Sequence, residues 1–463
     1  MHLILGLTAL IMLAWTVLVL IRERAPTPGI MFGFGWGLVT LLGAVEVVRY
    51  SPLSLEGVSV TLAFVAYLAI IFLLMPRPAR GGPMAGLAAD PSSAVLQVAR
   101  VFSLLVLAGI ALRYVHSVVI YERPLFDVQR SYEITNTEVM AGTWFSRIGS
   151  LLFLWPLPAA VLAWHAVNLG WWDRLLLFCG SMGLAAFGLM QGGRSGLVFT
   201  VFFIVPLALL SMAKGPGAAA PRRKRLTLVA GTGLFAVLSF ALLLVMFGLR
   251  TTDAISGGRY ARFMEVNPRY AGLVNPYGGS LLQDGVLGAV GYGTQPVQRL
   301  SLFFELDVET RFYGAWNFDV FANILRRVGI GTEHYNEAFS QVTYTYLEQG
   351  VPPGTFSTCI RDLYLDFGWA GVLLGGFAFA GGAQWVYARL LSGQAPHLLP
   401  LLGFMYGLIG VSPLFSGMQV GGANLSLCGA LAGCLALYVR GRAAPVRPAP
   451  ARHPGTPPPR RRH

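Results

Sequence analysis

The sequence predicts an all-α protein that crosses a membrane about eleven times and keeps one large polar loop. Three observations predict this. The 463 residues are 55% hydrophobic and 12% charged, with a mean hydropathy of +0.61, which excludes an ordinary soluble domain. About eleven runs approach the roughly 20 apolar residues that a span requires. Between Arg250 and Arg361 no such run occurs, and that stretch holds nine arginines, ten carboxylates and no lysine.

The apolar runs fall at 3–21, 29–48, 58–75, 97–120, 148–168, 174–191, 195–213, 227–248, 361–387, 398–414 and 421–439. The first lacks a basic leader and a small-residue cleavage site, so it reads as a retained span. The chain therefore divides into helices one to eight (1–248), a polar loop (249–360), helices nine to eleven (361–440) and a Pro/Arg-rich tail (441–463). The tail, like the Pro/Gly/Ala stretch 76–91, has too little apolar surface to form a core and is expected to be disordered. Within the loop, Ser280–Glu305 is apolar but broken by Gly and Pro. It suits one or two helices lying at the membrane interface.

Orientation follows from the positive residues of short connections. Lys214, the run Arg222–Arg225 and the arginines of the tail belong in the cytoplasm, and Arg22, Arg24, Arg77, Arg80 and Arg389 then fall there too. The N-terminus, the loop near 121–147, the turn at 192–194 and the loop 249–360 lie outside. The net charge of +13 sits mostly in cytoplasmic segments, which points to topology and anionic membrane lipid and not to nucleic acid. Of the four cysteines, Cys179, Cys428 and Cys434 fall in spans and Cys359 lies outside them, so neither a disulfide framework nor a Cys-based metal site is expected.

Three constellations could carry chemistry. Gln191-Gly-Gly-Arg194-Ser-Gly joins the sixth and seventh spans at their outer ends. There the glycines free backbone N–H groups, the next helix adds positive potential and Arg194 adds a charged fork, which together suit an anion. The same pattern also suits a tight turn with an arginine reaching the headgroups. Arg250, Arg259 and Arg262, with Arg269, follow the eighth span and could converge on a diphosphate. Arginine outnumbers lysine 32 to 2 in the chain, so coding bias alone also places arginines here.

The third constellation leads from the loop into the ninth span. Arg361, Asp362 and Asp366 are ionisable residues entering a membrane helix, and the two aspartates, four apart, share one face. They could orient an acceptor hydroxyl or an arginine, or simply complement a helix start. His334, next to Asn336, is the loop's one histidine and a possible general base. Tyr313 and Trp316 lie in an aromatic, polar run of the kind that stacks on sugar rings or populates a membrane interface. The sequence holds no P-loop, HExxH, dinucleotide fingerprint or GxSxG, so no metal and no cofactor is expected.

The Gly-Arg turn QGGRSG, the basic loop after it, Leu249-Arg250 beyond the next span and the closing FSTCIRDLYLDFGWAGV together resemble the O-antigen polymerases, the oligosaccharide repeat-unit polymerases of bacterial surface polysaccharides. The resemblance covers about residues 90–440, and its most specific element is Asp366–Gly368 followed by Gly371. It implies a GT-C-like helical fold in the bacterial inner membrane and an inverting, metal-independent glycosyltransferase. The donor would be a glycan on undecaprenyl diphosphate, and the acceptor another lipid-linked repeat unit. Arg194 and Arg250, then Arg259 and Arg262, would hold the diphosphate, and Asp366 or His334 would act on the acceptor. Tyr313, Trp316, Asn336 and Arg361 would line its approach. A chain-length regulator and a flippase would work beside it. An O-antigen ligase would use the same donor with another acceptor. A lipid-linked oligosaccharide flippase would instead want charges inside its spans and repeat symmetry, where this chain has chiefly Glu46 and Arg113 and no repeat. A scaffolding subunit would make the arginines dispensable.

Overall fold

The computed structural model describes residues 1–49, 52–75, 93–122, 143–190, 195–256, 265–267, 269–270, 281–305, 312–314, 316–318, 329, 358–419 and 422–443. These residues are almost entirely helical. The helices are α1 His2–Glu23, α2 Pro28–Val45, α3 Leu55–Leu74, α4 Ser93–Tyr114 with a π-helical extension Val115–Ile120, α5 Trp144–Leu151, α6 Pro156–His165 and α7 Trp171–Ser181. They continue as α8 Gly183–Met190, α9 Ser195–Lys214, α10 Arg222–Ser256, α11 Leu281–Glu305, α12 Thr358–Leu391, α13 Leu399–Val411 and α14 Ala423–Ala443. Two-residue strands, β1 Val48–Arg49 and β2 Glu265–Val266, pair antiparallel.

Among the described residues, nine helical segments are long and apolar enough to cross a membrane, and the α7–α8 pair, bent by 42°, makes a tenth. The run expected at 398–414 falls on Pro396–Val411, which is apolar but shorter. The chain thus has the character of a multi-pass membrane protein. Helix starts follow local chemistry. Thr27 Oγ1 accepts from the Ile30 N–H with Pro28 in the first turn, and Ser54 Oγ accepts from the Gly57 N–H.

Packing follows shape, because lipid offers no hydrophobic drive between helices. Gly403, Gly407 and Gly410 on α13 face Phe203, Phe199 and Phe202 on α9, and a Cβ at any of the three would overlap a ring. Trp155, Phe199, Phe203 and Phe404 form the centre of the largest core cluster, with the Trp155 and Phe203 rings 4.7 Å apart.

Where the loop was expected to lay one or two helices at the interface, α11 is a single helix of 25 residues. Its second half is buried from Thr294 to Ser301. The glycines that break its hydropathy are contact points. Gly285 meets the α10 backbone at Leu244, Gly293 meets Leu42 of α2, and Ser301 fits against Gly57 of α3. The Gln298 side chain donates to Glu46 Oε1 at 3.2 Å, while His2 and Arg49 each stand 3.6 Å from that carboxylate. One end of the bundle therefore gathers the start of α1, the end of α2, the start of α3 and α11.

The ninth span departs from expectation most. A straight helix over the 34 residues of α12 would be about 51 Å long, against a hydrocarbon core of roughly 30 Å. The helix instead folds back at Phe367 (φ −138°, ψ 16°) and Gly368 (φ 62°, ψ −150°) into a short arm, 358–366, and a long arm, 369–391. A Cβ on Gly375 would stand 2.7 Å from Leu363 Cδ2, twelve positions away, a separation that only a hairpin closes. The Gly368 conformation is open essentially to glycine alone, and a run of apolar residues carries no sign of reversal in its hydropathy.

The short arm starts deep in the bundle. The Thr358 N–H donates to the Leu414 carbonyl at 3.0 Å and the Cys359 N–H to the Ser412 carbonyl at 2.9 Å. Ser412 Oγ in turn accepts from Trp36 Nε1, at the ninth of the 18 residues of α2. Cys359, expected outside the spans, is buried with Phe32, Phe64 and Phe72 for this reason. All four cysteines are free thiols.

Candidate functional site

The hairpin is held by its two aspartates. Their i, i+4 spacing puts both on the face of the short arm that meets the segment 312–318. Asp366 Oδ1 accepts from the N–H groups of Gly314 (3.0 Å) and Trp316 (2.9 Å). Its Oδ2 accepts from the N–H (3.0 Å) and Nδ2 (2.7 Å) of Asn317. The N–H groups of Phe312 and Tyr313 donate to the carbonyls of Leu365 and Asp366, the acceptors that a helix end leaves open. Residues 312–314 and 316–318 are thus gathered around the end of the short arm by one carboxylate and two carbonyls. Asp362 Oδ1 accepts from Trp316 Nε1 (2.9 Å) and from Arg361 Nη2 (2.8 Å), and Oδ2 accepts from the Ser416 N–H at 2.7 Å.

These groups are buried: Asp362, Asp366 and Arg361 are 0%, 1% and 1% exposed. A carboxylate offers about four lone-pair sites, and Asp366 has all four engaged. The carboxylate that the sequence offered as a base or acceptor-orienting group is, in this geometry, the organiser of a loop. Arg361, offered as an acceptor contact, is enclosed in an ion pair with Asp362 and lies 5.5 Å from the centre of the Trp316 ring. Trp316 is itself buried and stacked on Phe312 at 5.9 Å.

What the buried network presents outward is aromatic. Tyr313 is 67% exposed and holds a left-handed φ of 50°. Gly314 passes beside Phe367, which is 48% exposed at the hairpin turn. Trp369, also 48% exposed, stacks on Phe304 at 5.5 Å with planes 1° apart, and Tyr364 meets the edges of both. Phe304 comes from the end of α11, so three separate chain segments build this surface. Parallel ring faces with polar backbone nearby can stack on apolar faces of sugar rings, and the same ring types settle at headgroup depth.

From the loop the contacts continue across the bundle. Asn424 Nδ2 at the start of α14 donates to the Asn317 carbonyl at 3.1 Å. Gly422 packs on Leu184 and Phe153, and Phe153 meets Phe187 edge-on at 5.4 Å. Phe187 lies on α8, so the described contacts run from the hairpin through α14 to that helix. Gln191–Arg194, Arg259, Arg262, His334 and Asn336 lie outside the described residues. Arg250 lies on α10, which continues to Ser256, and its side chain is not among those described.

Sequence reading placed Asn317 in the aromatic, polar run without giving it a role of its own, and singled out none of Asn424, Ser416 and Trp369. Asn424 did carry a signal, an amide heading an apolar run. Asn317 and Ser416 carried none, because their importance comes from meeting aspartates some 50 positions away. Comparison with protein-family models, with curated proteins and with solved structures finds no match.

Proposed function

We propose that the protein is a membrane glycosyltransferase that polymerises repeat units carried on undecaprenyl diphosphate, at the outer face of a bacterial inner membrane. The observation that carries this reading is the exposed aromatic surface of Tyr313, Phe367 and Trp369, mounted on a hairpin that enters an otherwise apolar bundle. Such a surface lets a glycan lie against protein while its lipid stays in the bilayer. A transporter would need its polar groups along a path through the spans. Here the buried polar cluster is spent on holding one loop.

In the reaction an acceptor hydroxyl attacks the anomeric carbon, the bond to the diphosphate breaks and the lipid diphosphate departs with the electron pair. Arg194 and Arg250, followed by Arg259 and Arg262, would neutralise the leaving group without a metal. Asp366 would act as a positioning residue that fixes Tyr313 and Trp316, and His334 remains the residue to receive the hydroxyl proton. The GT-C-like assignment and the orientation belong to this reading.

Deletion followed by analysis of surface glycans tests it. A polymerase mutant leaves glycan with one repeat unit. Accumulation of lipid-linked polymer would mark an O-antigen ligase, repeats trapped inside would mark a flippase, and unchanged glycans would remove the reading.

A further inference from the structure

Arg113 is a charged residue in a span that the proposed site does not use. It lies at the end of α4, where the helix passes into the π-helical turn Val115–Ile120, a form that recurs at functional sites. Gly109 and Gly149 let α4 and α5 cross closely: a Cβ on Gly109 would stand 3.0 Å from the Gly149 carbonyl oxygen, and one on Gly149 2.9 Å from that of Gly109. Along that crossing two polar residues of α4 and its extension face α5. One Nη2 of Arg113 donates to Ser150 Oγ, and His116 Nδ1 stands 2.7 Å from Thr143 Oγ1.

The guanidinium carbon lies over the Phe187 ring, 4.7 Å from its centre. Ser150 is neutral, Nε has no acceptor, and among the described residues no carboxylate pairs with Arg113. A cation in a span without a counter-charge is costly, and such residues mark binding functions. Arg113 stands in the last turns of the span Ala94–Ile120, within reach of the interface for a side chain that snorkels. Trp144, exposed, is covered by Arg147 on the same short helix, the arrangement of an interfacial anchor.

We infer that Arg113 grips the phosphate of a lipid, with the guanidinium N–H groups left free by Ser150 directed at its oxygens. Two sources share this chemistry, the diphosphate of the donor and the headgroup of a bulk anionic phospholipid. The first source rests on the glycosyltransferase reading above, and the second does not.

Native mass spectrometry of the purified full-length protein, titrated with undecaprenyl diphosphate and separately with phosphatidylglycerol, tests the site. Arg113→Gln should bind the preferred lipid about tenfold more weakly. Arg113→Lys, a point charge without the fork, should lose about threefold. Wild-type affinity for both lipids in Arg113→Gln overturns the inference. If that variant does not elute as a folded species, wild-type affinity in Arg113→Lys overturns it equally. Arg113-dependent binding of phosphatidylglycerol, with no binding of undecaprenyl diphosphate by the wild type, upholds the phosphate site and removes the donor from the glycosyltransferase reading.

Discussion

Leu363 and Gly371 are in contact although eight positions separate them: the Leu363 carbonyl oxygen occupies the space that a Cβ on Gly371 would need. In a continuous helix the two would be about 12 Å apart along the axis. The contact defines α12 as a hairpin, and with it the burial of Asp362 and Asp366.

The turn makes the first prediction. Gly368 holds φ 62° and ψ −150°, where any side chain costs on the order of 1–3 kcal/mol. Gly368→Ala should lower the thermal unfolding midpoint of the detergent-solubilised protein, and Gly371→Val, with backbone in its way, should lower it further. Midpoints unchanged in both would mean that the chain does not reverse here.

Asp366 separates structure from catalysis. Asn at this position keeps one acceptor oxygen and turns an NH2 group toward backbone donors, so at least one N–H is left buried and unsatisfied. That costs about 1–3 kcal/mol, and Asp366→Asn should be destabilised by about that much as well as impaired in polymer formation. A variant as stable as the wild type yet inactive would return Asp366 to the role of base.

Much of this was legible in sequence, and the illegible part has a common cause. Apolar runs marked the helices because the bilayer sets their length, and the aspartates at i, i+4 did share a face. The fold-back at Gly368 was hidden, since reversal depends on backbone angles that a hydropathy profile does not carry. The occupancy of Asp366 was hidden as well, because its donors Gly314, Trp316 and Asn317 lie about 50 positions away in a stretch with no regular period. For the same reason α11 read as broken: its glycines looked like interruptions and serve as contacts with Leu244 and Leu42.

Tyr313 should show the opposite behaviour to Asp366. Its ring is mostly exposed and its φ is one that glycine adopts freely, so Tyr313→Gly should leave the unfolding midpoint close to that of the wild type. Loss of one stacking face is worth about 0.5–1.5 kcal/mol, so acceptor affinity should fall by up to about tenfold. Shortened surface polysaccharide with normal protein levels is the expected phenotype. Wild-type chain length would detach the aromatic surface from the glycan.

Arg250, at the entrance of the loop, and Arg194, from the separate Gly-Arg turn, carry the last prediction. A diphosphate leaving group gains most from charge that is already in place as the bond breaks, so Arg194→Ala and Arg250→Ala should each lower polymer formation by about a hundredfold, the scale on which one stabilising donor acts. Neither change should alter the midpoint as Asp366→Asn does, provided these arginines face ligand and have no carboxylate to leave unpaired. Coding bias makes the alternative concrete: with arginine at 32 positions and lysine at 2, a dispensable arginine tolerates lysine and alanine alike. A fork on a diphosphate tolerates neither fully. Lysine variants should therefore keep partial activity while alanine variants lose it. Full-length polysaccharide in both alanine variants, expressed at normal levels, would leave the diphosphate without its assigned ligands.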